Sequence, residues 1–344
     1  MEGWEALSAE SIAEHCHVSS IACPHCFLAC GKVSEVKQGR HRGLRIMGPA
    51  YETIYAFGGL CMVKEIEEIL YLNDLCDRLG MDTITAGNLA AFAIEASRKR
   101  KIREKLDYGD ADAIAAILRK IAYRKGIGKI LSEGVRHAAA VWNMEEDAIH
   151  VKGLEVPMHD PRAFHSMAVN YATSPRGACH LHGAAFIYDM GLISPGFGVL
   201  YKQGRFDKKG KGPNTKAAQD QASMINSLVV CQFCGLGLAP LHIVNLLGAV
   251  TGLAYQTKEI PLIAERITNL QRVFNLKCGV TAKDDVLPER LLTPVTEGGH
   301  AGKAADLESQ LIEYYDVRGW DKEGIPTKAK LAELGLEFAI KDLY

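Results

Sequence analysis

The sequence predicts a mainly α-helical chain built of two helical domains, and three observations lead there. Apolar residues recur at helical spacing through most of the 344 residues. Runs with a period of two are few and short. A segment with two prolines, Gly153–Pro161, interrupts the helical pattern near the middle. At about 150 residues per domain the length suits two domains, read here as residues 1–150 and 151–344.

The elements follow in order. Ile66, Ile69, Leu70, Leu75 and Leu79 approximate one face of a helix that stops at Gly80, a residue suited to the left-handed turn after a helix. Asp110 or Asp112 can cap the next helix, where Ile114, Ile117, Leu118 and Ile121 share a face until Gly126. A third helix is expected from Ile130 to Trp142, and two more over residues 305–315 and 327–342. Leu44–Met47 and His150–Val151 are the best strand candidates, and Gly204–Asn214 is a loop by composition. No internal repeat shows.

Apolar residues make up 48% of the chain and charged residues 24%, the composition of a globular protein with a core. Forty basic residues against forty-one acidic ones leave a net charge of -1, which argues against a nucleic-acid binder. From Gln221 to Thr257 there is no charged residue. Asn226, Gln232, Pro240, His242 and Asn245 break this run, so it is expected as a deeply buried core segment and not as a membrane span. The start, Met-Glu-Gly-Trp-Glu, does not look like a secretory leader. Ten cysteines in such a chain point to a reducing, cytoplasmic setting, where clustered thiols serve as metal ligands.

The sharpest signal is Cys23-Pro-His-Cys26-Phe-Leu-Ala-Cys30. Three thiolates this close can hold one corner of an iron–sulfur cubane, with the fourth iron left for a distant cysteine. The competing reading is a zinc knuckle pairing Cys23 and Cys26 with Cys231 and Cys234, which leaves Cys30 idle. Asp77 falls in the last turn of its helix, where the macrodipole disfavours a carboxylate by about 0.3–1 kcal/mol. It either binds a ligand there or pairs with Arg78 or another neighbour. In Tyr171–His182, Arg176, Cys179, His180 and His182 crowd one Gly/Pro-marked loop, and either histidine could be a proton donor near neutral pH. Glu52, taken alone, reads as a surface carboxylate.

Together these stretches resemble the tungsten-dependent aldehyde:ferredoxin oxidoreductases. The carriers are ACPHCFLACGK, GPAYETI, LCDRLGMDTITAG, GIGKILSEGV, VKGLEVP, YATSPRGACHL, NSLVVCQF, NLQRVFN, DDVLPERLL and YYDVRGWDKEGIPT, in that order from about Leu7 to the end. The resemblance implies the fold of the family's two C-terminal, helical domains. It implies a tungsten (or molybdenum) bis-pterin beside a [4Fe–4S] cluster, aldehyde oxidation to a carboxylic acid, and electron delivery to ferredoxin or another carrier. Cys23, Cys26 and Cys30 match the first three cluster ligands and Cys231 the fourth. Asp77 and Asp82 match one pterin motif, and Asn226 stands in the second. Glu52 and His180 match the acid–base pair beside the metal.

Three departures accompany the resemblance. The family's N-terminal domain, one side of the bis-pterin site, has no counterpart in these residues. Asn226 replaces an Asp and Val229 a Gly in the second pterin motif, so an acceptor oxygen is kept but its charge is lost. Met81 replaces a Leu of similar volume. The expectations are therefore three: the C-terminal part of a tungstoenzyme, whose other half is a separate pterin-binding polypeptide or was lost from the gene; a non-catalytic iron–sulfur electron-transfer subunit or half-site; or a subunit reducing aromatic acyl-CoA thioesters at low potential.

Overall fold

The computed structural model describes residues 3–344, which divide into two compact units at Met158/His159. Both are mainly helical. The division lies beyond residue 150 because the hairpin β4–β5 (His150–Val151 and Leu154–Glu155) is bonded into the first unit. Glu155, only 4% exposed, accepts the Val135 N–H at 2.9 Å and the Thr85 hydroxyl at 3.1 Å. One buried carboxylate thus joins the Val135–Trp142 helix to the Thr83–Arg98 helix.

The first unit opens with the helix Ala9–His15 and an antiparallel sheet in the order β1 (Cys16–Ile21), β2 (Gly31–Val36), β3 (Arg45–Met47). Cys16, Val36 and Ile46 turn inward and join the core of the Ile66–Leu79 helix. That helix buries Ile66, Ile69, Leu70, Leu72, Leu75 and Cys76, and ends on Gly80 at φ +68°, with Met81 N–H donating to Cys76 O. Asp82 then caps Thr83–Arg98, and Asp110 caps Ala111–Ala122, its carboxylate accepting the Ala113 N–H at 2.9 Å. At Gly87 a Cβ would lie 2.5 Å from the Ala56 Cβ, so only glycine lets these two segments touch. The helix expected from Ile130 is divided into Gly128–Leu131 and Val135–Trp142, with Gly134 between them at φ +89°.

The second unit is organised around the Lys211–Ser227 helix, which packs against Ser166–Thr173, Glu259–Lys277 and Leu307–Arg318. Here three expectations are corrected. Residues 211–214 are helix, not loop: the Glu313 carboxylate accepts the Gly210 and Gly212 N–H groups, and buried Lys211 pairs with buried Asp189 at 2.6 Å. Both partners lie far along the chain, so local composition could not reveal the helix start. The 327–342 helix is two pieces, Lys328–Glu333 and the 3₁₀ turns Glu337–Asp342, because Gly335 takes φ +66°. Third, the uncharged run is buried only in part. It is inside as far as Ile225, but Val229, Phe233, Leu241, Leu246 and Val250 are exposed, and the Pro240–Thr251 helix buries Ile243 alone. Among the described residues no helix is long and apolar enough to cross a membrane.

The core of this unit holds charge. Arg318, with no exposed surface, is ion-paired to Asp220 and donates to the Tyr314 hydroxyl at 2.9 Å and Gln219 Oε1 at 3.2 Å. Asp220 also accepts from Thr268 at 3.0 Å and from Lys216 at 2.9 Å. Burial works against the guanidinium's charge, but Asp220 outweighs it and holds Arg318 protonated. We expect Asp220→Asn to destabilise the chain by about 3–5 kcal/mol, as for other broken buried ion pairs. Urea unfolding followed by tryptophan fluorescence measures it, and a loss below about 1 kcal/mol, no more than an exposed pair contributes, would contradict this account.

Just after the same helix, Val229 adopts φ +56° with its side chain 91% exposed. A β-branched residue is strained in that region, and here it has no packing to lose. Val229→Gly is expected to raise stability by about 1 kcal/mol in the same unfolding experiment; an unchanged or lower midpoint would show that the strain is relieved elsewhere.

Candidate functional site

The register Ile21↔Gly31 closes β1 and β2 around a loop that carries Cys23, Cys26 and Cys30. The Cys26 N–H donates to Cys23 O at 3.0 Å, and His25 and Ala29 take φ +61° and +45° to turn the chain. Cys23 and Cys30 are exposed, Cys26 is half-buried, and none is in a disulfide. Phe27, between them, is 86% exposed. These thiols have a different setting from the core cysteines: burial pushes Cys61 and Cys76 up to about 12, which leaves them protonated and inert. Soft donors on one solvent-facing loop suit a thiolate-bound cluster and serve no packing purpose. Cys231 is exposed as well, at the start of the short Gln232–Gly235 helix of the second unit.

Asp77 and Asp82 of the first unit are bonded differently. Asp82 Oδ2 accepts the Thr85 N–H at 2.8 Å, a helix cap of about 0.5–2 kcal/mol. Asp77 does not pair with Arg78, which turns to Asp74 instead. Its Oδ2 accepts from buried Asn73 at 2.9 Å, and the residue is exposed. Asp77 thus pairs with a neighbour, Asn73, in place of Arg78.

Glu52 is not a surface residue. It lies in the Tyr51–Ile54 helix, 6% exposed, and its Oε2 accepts the Met158 N–H at 2.9 Å. Next to it, the Thr53 and Thr83 hydroxyls bond at 2.8 Å, so the Glu52 helix is pinned to the residue that follows Asp82. Burial and the Glu52 carboxylate push the Tyr51 phenol up to about 12. A carboxylate held this way keeps a fixed orientation with little water around it, as a general base requires.

In the second unit, His180 (7% exposed) follows the fully buried Ser166–Thr173 helix. Asn170 Nδ2 donates to Cys179 O at 3.3 Å, and Asn275 Nδ2 to Pro175 O at 2.7 Å, which fixes the loop at both ends. The His180 ring stacks on His159 with centroids 5.0 Å apart, and His159 packs at 4.0 Å on Phe186. Sequence reasoning missed His159. Its one signal was its place in the two-proline segment Gly153–Pro161, which marked a boundary and so drew attention away from chemistry. His182 is also buried, and burial lowers its pKa, so that it is neutral at pH 7.

Asn226 is exposed in the last turn of the Lys211–Ser227 helix, and its Oδ1 already accepts from Gln232 Nε2 at 2.9 Å. The acceptor at this position is therefore neutral and locally engaged. Val229, three residues on, holds the left-handed conformation that a glycine would take without strain.

Comparison with known proteins identifies the family. The family model described as "Aldehyde ferredoxin oxidoreductase, domains 2 & 3" matches residues 1–336. The tungsten-containing aldehyde ferredoxin oxidoreductase of Pyrococcus furiosus is 34% identical over 340 residues, 96% of this chain and 54% of that protein. Its counterpart in Thermococcus kodakarensis is 32% identical, again over 96% and 54%. A P. furiosus protein named "Aliphatic sulfonate oxidoreductase, WOR-like subunit" is 30% identical over 92% of the chain and 50% of its own length. The chain thus spans about half the length of the curated relatives it matches. Among solved structures, the active-site complex BamBC of benzoyl coenzyme A reductase with 1,5-dienoyl-CoA shares the fold, with a TM-score of 0.74 and 21% identity over 97% of this chain and 55% of that one. The chain belongs to the aldehyde ferredoxin oxidoreductase family, matching its domains 2 and 3.

Proposed function

We propose that this chain is the C-terminal part of a tungstopterin, iron–sulfur oxidoreductase that oxidises an aldehyde to a carboxylic acid and passes the electrons to ferredoxin or a similar carrier. The observation that carries the reading is the solvent-facing loop with three free thiols, Cys23, Cys26 and Cys30, in a chain of this family. These three, with Cys231 as the fourth, would hold a [4Fe–4S] cluster. Asp77 and Asp82 would accept N–H groups of one pterin, and Asn226 of the other. A polypeptide segment equivalent to the relatives' unmatched length would complete the pterin site.

When bound, the tungsten (or molybdenum) centre would supply two-electron redox chemistry, and the cluster would release the electrons singly. The chain's own side chains manage the protons. Glu52, with Oε2 fixed by the Met158 N–H, takes a proton from water as the water oxygen bonds to the carbonyl carbon. His180, steadied by its stack on His159, donates a hydrogen bond to the carbonyl oxygen as negative charge builds there. In sum, one water oxygen enters the aldehyde, and two electrons and two protons leave.

A second reading has one observation in its favour. Asn226 is neutral and bonded to Gln232, which weakens the second pterin motif and suits an iron–sulfur electron-transfer subunit or half-site that holds no tungsten.

Elemental analysis of the chain, purified under strict anaerobiosis, separates these readings. About four irons together with tungsten or molybdenum support the first, and about four irons alone the second. Zinc in place of iron, with no cluster formed on reconstitution, would overturn both. Cys30→Ser should abolish the low-temperature EPR signal of the reduced cluster while keeping the helical circular dichroism; an unchanged signal would remove Cys30 from the ligand set.

In the assembled enzyme, Glu52→Gln and His180→Gln should each lower kcat for aldehyde oxidation by about 10²–10⁴, with iron and tungsten contents unchanged. A loss below about tenfold, outside that range, would deny them the proton roles.

A further inference from the structure

A positively charged cluster in the second unit has no part in the chemistry above. It is centred on Phe206, half-buried in the loop before the Lys211–Ser227 helix. The Arg205 guanidinium lies 4.7 Å from the centre of this ring and the Lys303 ammonium 5.5 Å from it. His165, 5% exposed, meets the same ring edge-on at 5.3 Å, and its Nε2 is buried with no hydrogen-bond partner. The segments are tied together by the His165 N–H, which donates to Arg205 O at 3.1 Å. Lys202, Lys208 and Lys209 are exposed on the same loop.

The nearby charges that are needed for folding are already matched. Lys211 is paired with Asp189, and the Asp207 carboxylate accepts the Gly204 N–H at 2.7 Å. Arg205 and Lys303 differ, since among the described residues neither has a carboxylate within 4.0 Å. Contact with the ring is enough to place them. It does not satisfy the His165 nitrogen, whose burial without a partner is unfavourable. Burial, reinforced by Lys211 and Lys303, lowers the His165 pKa to about 4, so the ring is neutral at pH 7 and adds no charge of its own. Two uncompensated cations beside an unsatisfied buried nitrogen are what an oxyanion would complete.

We propose that Arg205, Lys303 and His165 form a binding site for a phosphoryl group. The guanidinium fork matches two phosphate oxygens, the ammonium supplies a point charge, and the imidazole supplies one hydrogen bond. The exposed lysines of the loop suit further negative charge on the same ligand. The site stands on the second unit alone and does not depend on the redox reading.

Isothermal titration calorimetry on the full chain, with inorganic phosphate, ADP and coenzyme A as separate probes, tests the site. Saturable binding of at least one probe is expected, weakened tenfold or more by either Arg205→Gln or Lys303→Gln (about 1.4 kcal/mol). The wild-type His165 imidazole resonances should shift on addition of that probe. Phosphate binding as tightly as the other two identifies the free ion as ligand; tighter binding of ADP or coenzyme A identifies a phosphate carried on a nucleotide. Both variants are at exposed positions and should keep the wild-type unfolding midpoint. The proposal is overturned if no probe saturates up to about 10 mM, a concentration above the Kd of even a weak site. Affinity unchanged in both variants would overturn it equally.

Discussion

A guanidinium with no exposed surface must have its charge answered in place, and this requirement organises the second unit. Arg318 reaches Asp220, Tyr314 and Gln219, and Asp220 in turn takes Thr268 and Lys216. The pair therefore fixes the Leu307–Arg318, Lys211–Ser227 and Glu259–Lys277 helices in one arrangement. Burying such a pair yields little net stability over an apolar core, but it penalises every arrangement in which one partner is left alone. A second pair works the same way close by. Arg272 bonds Asp285 at 2.9 Å and lies 4.9 Å over the Trp320 ring, while the Tyr315 hydroxyl donates to the same carboxylate at 2.6 Å. The His180 loop is attached to this frame through Asn275, which shares the Glu259–Lys277 helix with Arg272 and Thr268.

The first unit solves a related problem with a single carboxylate. Helix N-termini leave N–H groups without partners inside the helix. Asp82 and Asp110 answer them locally, whereas the start of Val135–Trp142 uses Glu155 from a hairpin twenty residues later. The reach of Glu155 to Thr85 makes that hairpin part of the first unit, and the chain then leads directly to Met158, whose N–H holds Glu52. The proposed base is thus oriented by backbone that the Glu155 contacts have already positioned. This is a rigid support for a group that must keep its geometry.

Against these dry interiors, the cysteine loop and the 226–253 region face solvent. The thiols proposed to hold the cluster lie outside the core, whereas burial retains the protons of Cys16, Cys61 and Cys76. The same contrast separates Glu52 and His180, buried on helix-anchored segments, from Asp77 and Asn226, exposed at helix ends. The proposed proton-handling groups are sheltered, and the proposed cofactor-holding groups are accessible.

What the sequence by itself determined was local. The 3.6-residue apolar period placed the Ile66–Leu79 and Ala111–Ala122 helices, Asp110 and Gly80 marked ends that depend on bonds a few residues long, and the spacing of Cys23, Cys26 and Cys30 placed them on one loop. The ordered motifs, quoted residue by residue, carried the family. Tertiary structure decided whatever needed a distant partner. Glu52 read as a surface carboxylate until Met158, 106 residues away, closed over it, and Asp220 meets Arg318 from 98 residues away. The helix start at Lys211 depends on Glu313 and Asp189, and the ring of His159 has a role only because it stacks on His180. The uncharged stretch shows the limit from the other side. Its composition suited a core, but burial belongs to surfaces in contact and not to composition, and in this chain nothing among the described residues covers Val229, Leu246 or Val250.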